Sequence, residues 1–321
     1  MCEPAFDDIQ KAASRISRLI HRTPVLTSRL FDQAAGVSCF FKCENLQRGG
    51  SFKMRGASNF LLSLSEEQRR RGVVTYSSGN HGQAVAIAAE QLDVGATIVM
   101  PEDAPRTKVE ATRAHGPRII FYNRQTEIRE AIGQRIAAES GASVLPPYDH
   151  AWTIAGQGTA GLELLDQVPE LDAIAVPVGG GGLLSGIAIA AKSIKPLIRL
   201  FAVEPQLAND WALSFDQGER VQIAPSSTIA DGLRALMPGE ITFPIVKRLV
   251  ERVVLVSEEE IASTLRFLLT RLKIVAEPSG AVAAAAALHH RLPGYIGALG
   301  ILITGGNVDL DQLSEICRGA R

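Results

Sequence analysis

Charge of a single sign is missing from this 321-residue chain: 33 Lys and Arg offset 34 Asp and Glu, leaving a formal net charge of −1. That balance removes any electrostatic ground for binding nucleic acid or an anionic membrane surface. Cysteine is scarce, with Cys2, Cys39, Cys43 and Cys317 only. Cys39 and Cys43 do not form a C-x-x-C pair and have no metal-ligand cluster around them, which excludes a local dithiol or metal centre. They read as inert thiols of a reducing compartment. No long apolar run is present; the longest of small residues, Ala281 to Leu288, is too short to span a bilayer. The opening MCEPAFDDIQ carries acids and lacks the apolar stretch of a leader, so the expectation is a cytoplasmic protein without signal peptide or membrane anchor. Aromatics are only 5%, whereas Gly alone counts 29, a composition that suits closely packed helices and sheets.

What is present is alternation. Short apolar runs of strand type occur at Ser38–Cys43, Val73–Tyr76, Ala96–Met100, Arg118–Phe121, Ala173–Val178, Arg199–Val203, Arg252–Val256 and Ile301–Thr304. Helical patterns lie between them, at Phe6–Leu19, Gly82–Gln91, Thr107–Ala114, Gln125–Ser140, Gly182–Ile194, Glu258–Arg271 and Gly280–His290. Strand alternating with helix predicts an α/β fold of two lobes, each an open, mostly parallel twisted sheet with flanking helices. Breaks near Gln47–Gly50 and Pro146-Pro147 divide the chain into a large domain, 1–50 with 148–321, and a small domain, 51–147, that closes over the cleft between them. Ligands of such sheets bind at the carboxyl ends of strands, and the chemically suggestive motifs all fall there.

Gly179-Gly180-Gly181-Gly182 follows the run Ala173–Val178 and opens a helix. Consecutive glycines let backbone N–H groups crowd round a phosphate at a helix N-terminus; a tight strand-to-helix turn is the plainer alternative. The same loop, with Glu204 ending the next strand, imitates a dinucleotide fingerprint, but the G-x-G-x-x-G spacing is not met. Lys53 sits in Arg48-Gly49-Gly50-Ser51-Phe52-Lys53-Met54-Arg55-Gly56. Burial there would lower its pKa and free the amine for covalent carbonyl chemistry, although most lysines are solvated surface groups. Ser77-Ser78-Gly79-Asn80-His81-Gly82 joins a strand to a helix and suits a carboxylate, or serves only as a helix cap. Thr304-Gly305-Gly306-Asn307 is a further loop behind a strand. Glu204, Ala208 and Asp210 have a spacing that offers two carboxylates and a carbonyl to a hard cation, or are loop acids.

Taken together, these motifs resemble the fold-type II pyridoxal phosphate (PLP) enzymes, in particular the threonine/serine dehydratase and serine racemase group. The resemblance extends over Arg22–Ser28, Phe41–Glu44, Ser51–Lys53, Ser77–Ala84, Ile154–Thr159, Gly179–Gly182, Val203–Pro205, Ile229–Gly232, Glu277–Gly280 and Thr304–Asp309. It implies Lys53 as the Schiff-base lysine, Phe52 packed against the cofactor ring and Asn80 facing its 3′ oxygen. It implies Gly179, Gly180, Gly181, Gly182 and the Leu183 N–H as the phosphate site, with Thr304 in the place usually held by serine at the pyridine nitrogen. Ser78 matches the serine that faces the lysine across the cofactor. Ser77, Ser78, Asn80, His81 and Arg129 match positions near the substrate, and Glu204, Ala208 and Asp210 match a divalent-cation site expected to take magnesium. A homodimer or homotetramer is implied. Gly49-Gly50 departs from a commoner Thr-Gly, and Thr304 from serine. The chain stops soon after Asp309, so no regulatory domain is expected.

The activity so implied is an ammonia-lyase: Lys53 removes the Cα proton of L-threonine or L-serine, the β-hydroxyl leaves, and a 2-oxo acid and ammonia result. A hydroxyl at the pyridine nitrogen does not hold it protonated, which suits direct loss of the β-hydroxyl. Serine racemisation, with Lys53 and Ser78 as bases on opposite faces, is the second reading. A dehydratase of threo-3-hydroxyaspartate, with Arg129 at the second carboxylate, is a third. A nicotinamide-binding α/β module is the remote one.

Overall fold

The computed structural model describes residues 3–104 and 106–318; Cys2 lies outside them. Among the described residues ten strands form two sheets. They are β1 (Val25–Thr27), β2 (Ser38–Cys43), β3 (Val73–Tyr76), β4 (Ala96–Pro101), β5 (Arg118–Tyr122), β6 (Ser143–Val144), β7 (Ala173–Pro177), β8 (Arg199–Pro205), β9 (Arg252–Val256) and β10 (Ala298–Ile303). The larger sheet runs in the order β1-β2-β10-β7-β8-β9 and the smaller β5-β4-β3-β6. Every pairing is parallel except the short edge pair β1–β2. This is the α/β architecture the alternation predicts, with parallel strands buried on both faces and so reading as continuous apolar runs.

The chain makes two strands of the larger sheet, leaves to build the whole smaller sheet, and returns at β7. Two consequences position the site. The C-terminal ends of β2, β7, β8 and β10 share one edge of the larger sheet. The loop after β3 of the smaller sheet meets them, as the bond from Asn80 to Glu277 records.

Helix packing on the larger sheet depends on small residues. One face is covered by the alanine-rich helix Pro278–Leu288, which packs with Phe41, Phe201, Val203 and Ile301. The other face carries helices Ala151–Gln167 and Gly182–Ile194, which cross so closely that a Cβ on Gly186 would lie 2.3 Å from the Ile154 carbonyl. A Cβ on Gly156 would lie 2.6 Å from the carbonyl of Arg55, so the helix Lys53–Ser63 is pressed against the same element. Helix Ala151–Gln167, unpredicted from the sequence, contains three such glycines; they read as loop residues but serve as contact points. Cys39 and Cys43 are free and buried, and burial, with help from Asp32 and Glu44 respectively, pushes each thiol up to about 12. Among the described residues no helix is long and apolar enough to cross a membrane.

Candidate active site

Lys53 is the first residue of the helix Lys53–Ser63. The segment before it is stitched to the end of β10: Phe52 N–H donates to the Thr304 carbonyl (3.1 Å), Gly306 N–H to the Gly50 carbonyl (2.9 Å), and Ser51 bridges Gly305. The lysine therefore leaves its helix beside the Thr304–Asn307 loop. Its half-buried Nζ donates to the Pro147 carbonyl at 2.7 Å and stands 5.1 Å from the Phe52 ring centroid. Burial lowers its pKa to about 8, with the Glu277 carboxylate opposing that shift. Its place in the first turn of a helix, where the dipole is positive, acts in the same direction as burial. About a tenth of the amine is thus neutral at pH 7, far more than for a lysine of ordinary pKa.

Across the large-sheet edge, the glycine loop has its carbonyls tied back. Trp211 Nε1 donates to the Gly179 carbonyl (2.5 Å) and Thr242 Oγ1 to that of Gly180 (2.7 Å). Gly181 adopts φ 93°, a left-handed conformation in which a side chain would also strike Trp211 and Thr242. The first intrahelical bond of Gly182–Ile194 is Ser185 N–H to Gly181, so the N–H groups of Gly182, Leu183 and Leu184 have no helical acceptor. Free donors at a positive helix end, with carbonyls turned away, are what a phosphate requires. Tyr148, which sequence reasoning missed, roofs this cradle: a Cβ on Gly180 would sit 2.2 Å from its ring.

The Ser77–Gly82 loop joins β3 to the helix Asn80–Gln91. Gly82 has no side chain where the Ser77 carbonyl folds back, 2.3 Å from a would-be Cβ. Ser77 Oγ accepts the Gly79 N–H (3.3 Å), while the Ser78 hydroxyl is half-buried and has no partner among the described residues. His81 turns away from the loop, its Nε2 3.2 Å from the Leu145 carbonyl, and burial followed by the charge of Lys53 pushes its pKa down to about 3. It is neutral at any physiological pH, so it offers this loop a backbone N–H but no imidazolium. Arg129 begins the helix Arg129–Ser140 and lies over Tyr76, 5.8 Å from the ring centroid, beside the start of the Ser77 loop. Its Nε donates to Glu130 (2.7 Å), and among the described residues neither Nη has an acceptor.

Asn80 links the two sheets. Its Nδ2 donates to Glu277 Oε1 (2.7 Å) and its Oδ1 accepts from Asn307 Nδ2 (3.0 Å). Glu277 is pushed up to about 8 by burial and by Asp231, against the opposing pull of Asn80, Lys108 and Lys53. Lys108 also reaches across to Asp231, Nζ to Oδ2 at 2.5 Å. Thr304 is buried at the end of β10, its Oγ1 a loose 3.4 Å from the Ser279 carbonyl.

Glu204 and Asp210 come together behind β8. Both Asp210 oxygens are buried without a hydrogen-bond partner. Glu204 accepts from the N–H groups of Ala212 (2.8 Å) and Trp211 (3.3 Å), which leaves the Ala208 carbonyl with no backbone donor. Burial, then Asp210, raises Glu204 well above the carboxylate range, and burial raises Asp210 to about 8. No three His, Cys, Asp or Glu side chains gather among the described residues; the pair with a free carbonyl is the nearest approach to a cation site.

The sequence matches the family described as pyridoxal-phosphate dependent enzymes over residues 16–305. The chain belongs to that family. A half-buried amine of lowered pKa, a glycine loop with free N–H donors at a helix start and the Asn80 amide at the meeting of the two sheets fit the cofactor that gives these PLP enzymes their name. The chain is 47% identical to the L-threo-3-hydroxyaspartate ammonia-lyase of Saccharomyces cerevisiae, covering 99% of this chain and 98% of that protein. It is 42% identical to the L-threonine ammonia-lyase of Geobacter sulfurreducens, covering 96% and 77%. Its fold superposes on maize serine racemase with a TM-score of 0.94 at 45% identity, covering 97% and 96%. A PLP-dependent dehydratase or racemase is therefore the class to which the site belongs, in place of the nicotinamide alternative.

Proposed function

We propose that this PLP enzyme is an ammonia-lyase for 3-hydroxy amino acids, with L-threo-3-hydroxyaspartate ahead of L-serine and L-threonine. This places an alternative reading of the resemblance ahead of its leading one, L-threonine or L-serine. The observation that carries it is Arg129, whose guanidinium lies over Tyr76 at the start of the Ser77 loop, with no acceptor for either Nη among the described residues. A second carboxylate is what a free planar fork of donors recognises best. The 47% identity to an enzyme named for that substrate agrees with it.

The residues divide the work as follows. The N–H groups of Gly182 and Leu183 with the Gly179–Gly182 loop would hold the cofactor phosphate, and Phe52, Asn80 and Thr304 would complete its site. Bound PLP supplies an electron-withdrawing ring that makes the Cα proton of the attached amino acid acidic. Ser77 and the backbone N–H groups at the start of helix Asn80–Gln91 bind the α-carboxylate. Lys53 Nζ takes the Cα proton, a role its lowered pKa favours. The β-hydroxyl departs as water, and hydrolysis returns one water as ammonia leaves, so 2-oxo acid and ammonia balance the substrate. Ser78, the half-buried hydroxyl of the loop after β3, provides the second base that racemisation needs. Magnesium is assigned to Glu204, Ala208 and Asp210, where two buried carboxylates with no counter-charge call for a cation.

Arg129→Ala tests the substrate assignment. The kcat/KM for L-threo-3-hydroxyaspartate should fall by roughly 10- to 100-fold, the worth of a charge-assisted pair, while that for L-serine changes by less than about threefold. Equal losses on both substrates would remove Arg129 from specificity and return the ranking to serine or threonine.

A further inference from the structure

We propose that Glu277 is a positioning residue that fixes which edge of the Asn80 amide faces the cofactor. The proposal rests on the PLP reading of the site. Glu277 lies on the residue before the helix Pro278–Leu288, and its N–H donates to the Gly305 carbonyl at 3.0 Å. Its carboxyl is tucked beneath the Thr304–Asn307 loop: a Cβ on Gly305 would lie 2.4 Å from Glu277 Oε1, so a side chain there would displace the carboxyl.

From that position Glu277 completes a three-residue relay. Asn307 Nδ2 donates to Asn80 Oδ1 (3.0 Å) and to the Gly49 carbonyl (2.8 Å). Asn80 Nδ2 donates to Glu277 Oε1 (2.7 Å). An amide has one oxygen and two N–H donors. With the oxygen facing a donor and one N–H facing an acceptor, the Asn80 orientation is set and one N–H is left over. That remaining donor is the group that can meet the 3′ oxygen of the cofactor. Without Glu277 only the bond from Asn307 still orients the amide, and an amide that turned would aim its oxygen, in place of an N–H, at the 3′ oxygen. The relay joins loops from both sheets, so the same contact couples their approach to cofactor geometry. An acceptor at Oε1 is all that positioning requires, and a glutamine amide oxygen supplies one.

The test is PLP affinity of the apoprotein, read by visible absorbance, for wild type, Glu277→Ala, Glu277→Gln, Asn80→Ala and Asn80→Ala with Glu277→Ala. Apoprotein thermal melts serve as the control for folding. Glu277→Ala should weaken PLP binding about tenfold, Glu277→Gln less than about threefold, and Glu277→Ala should add less than about threefold once Asn80 is gone. Glu277→Ala and Asn80→Ala should displace the visible band of bound PLP in the same direction. The proposal fails if the Glu277→Ala loss persists in the Asn80→Ala background. It fails equally if Gln is as damaging as Ala, or if Ala lowers only the melting temperature. Losses of that kind in a wild type that binds PLP overturn the positioning role alone. A wild type that binds no PLP overturns the cofactor reading with it.

Discussion

Replacing Arg55 by alanine is expected to destabilise the protein by about 3–5 kcal/mol, because it breaks a buried charge network at one partner. Arg55 and Glu44 are fully buried, and Glu163 nearly so, with 14% of its side chain exposed. The guanidinium grips both carboxylates in bidentate fashion, with N–O distances of 2.7 Å to each Glu44 oxygen and 2.8 Å to each Glu163 oxygen, and adds Thr159 at 3.1 Å. Among the described residues Lys42 Nζ, also buried, is the only other cation in the network, 2.7 Å from Glu163 Oε2. Loss of Arg55 therefore leaves two carboxylates and one ammonium. At about 2 °C per kcal/mol for a chain of this size, the melting temperature should drop by roughly 6–10 °C at pH 7. Burial alone would raise the Glu163 pKa, but the hydrogen bonds and charges of Arg55 and then Lys42 outweigh it and hold the pKa below the usual carboxylate range. A depressed carboxyl contributes stability that is present above its unfolded pKa and lost as pH falls through the folded value. The gap between wild type and variant should accordingly narrow below about pH 4. Thermal melts at both pH values read the effect. A drop under about 2 °C at pH 7, or a gap that widens in acid, would refute the reasoning. Arg55 is the third residue of the helix that begins at Lys53, so weaker PLP retention should accompany the loss of stability.

Two further outcomes are expected. Capture of PLP by the apoprotein requires a neutral Lys53, so its rate should rise about tenfold per pH unit below pH 8 and level off above it; a rate independent of pH between 6 and 9 would contradict the perturbed lysine. Magnesium at 100 times its Kd should raise stability by about 2.7 kcal/mol, seen as a melting temperature about 5 °C higher. Asp210→Asn should abolish that increment, and an undiminished increment would place the cation elsewhere.

The parts of this fold that the sequence displays are those where one physical signal dominates. β2, β3 and β9 coincide with their apolar runs, since a parallel strand covered on both faces must be apolar throughout. The edge strand β1 and the two-residue β6 are too short to carry a pattern. Helix Ala151–Gln167 was hidden because Gly156, Gly158 and Gly161 resemble loop residues; their purpose, close approach to neighbouring helices, exists only in three dimensions. Each motif loop behind a strand was legible for the same reason the strands were. Glu277, Tyr148 and the Pro147 carbonyl were not, because each acts on a residue distant in the chain, 94 positions away for Pro147 and 197 for Glu277, and shows no local spacing. The Glu277–Gly280 segment stood out by resemblance, without a role.

On the proposed function, Lys53 and the cofactor remove ammonia from a 3-hydroxy amino acid, the dicarboxylic one first. Release of 2-oxo acid by the PLP-loaded enzyme with magnesium, at equal concentrations of L-threo-3-hydroxyaspartate, L-serine and L-threonine, tests it directly, with Lys53→Ala as control. Release should be fastest from hydroxyaspartate and absent in Lys53→Ala with any of the three. Turnover retained by Lys53→Ala, or serine racemisation outpacing release from all three substrates, would contradict it.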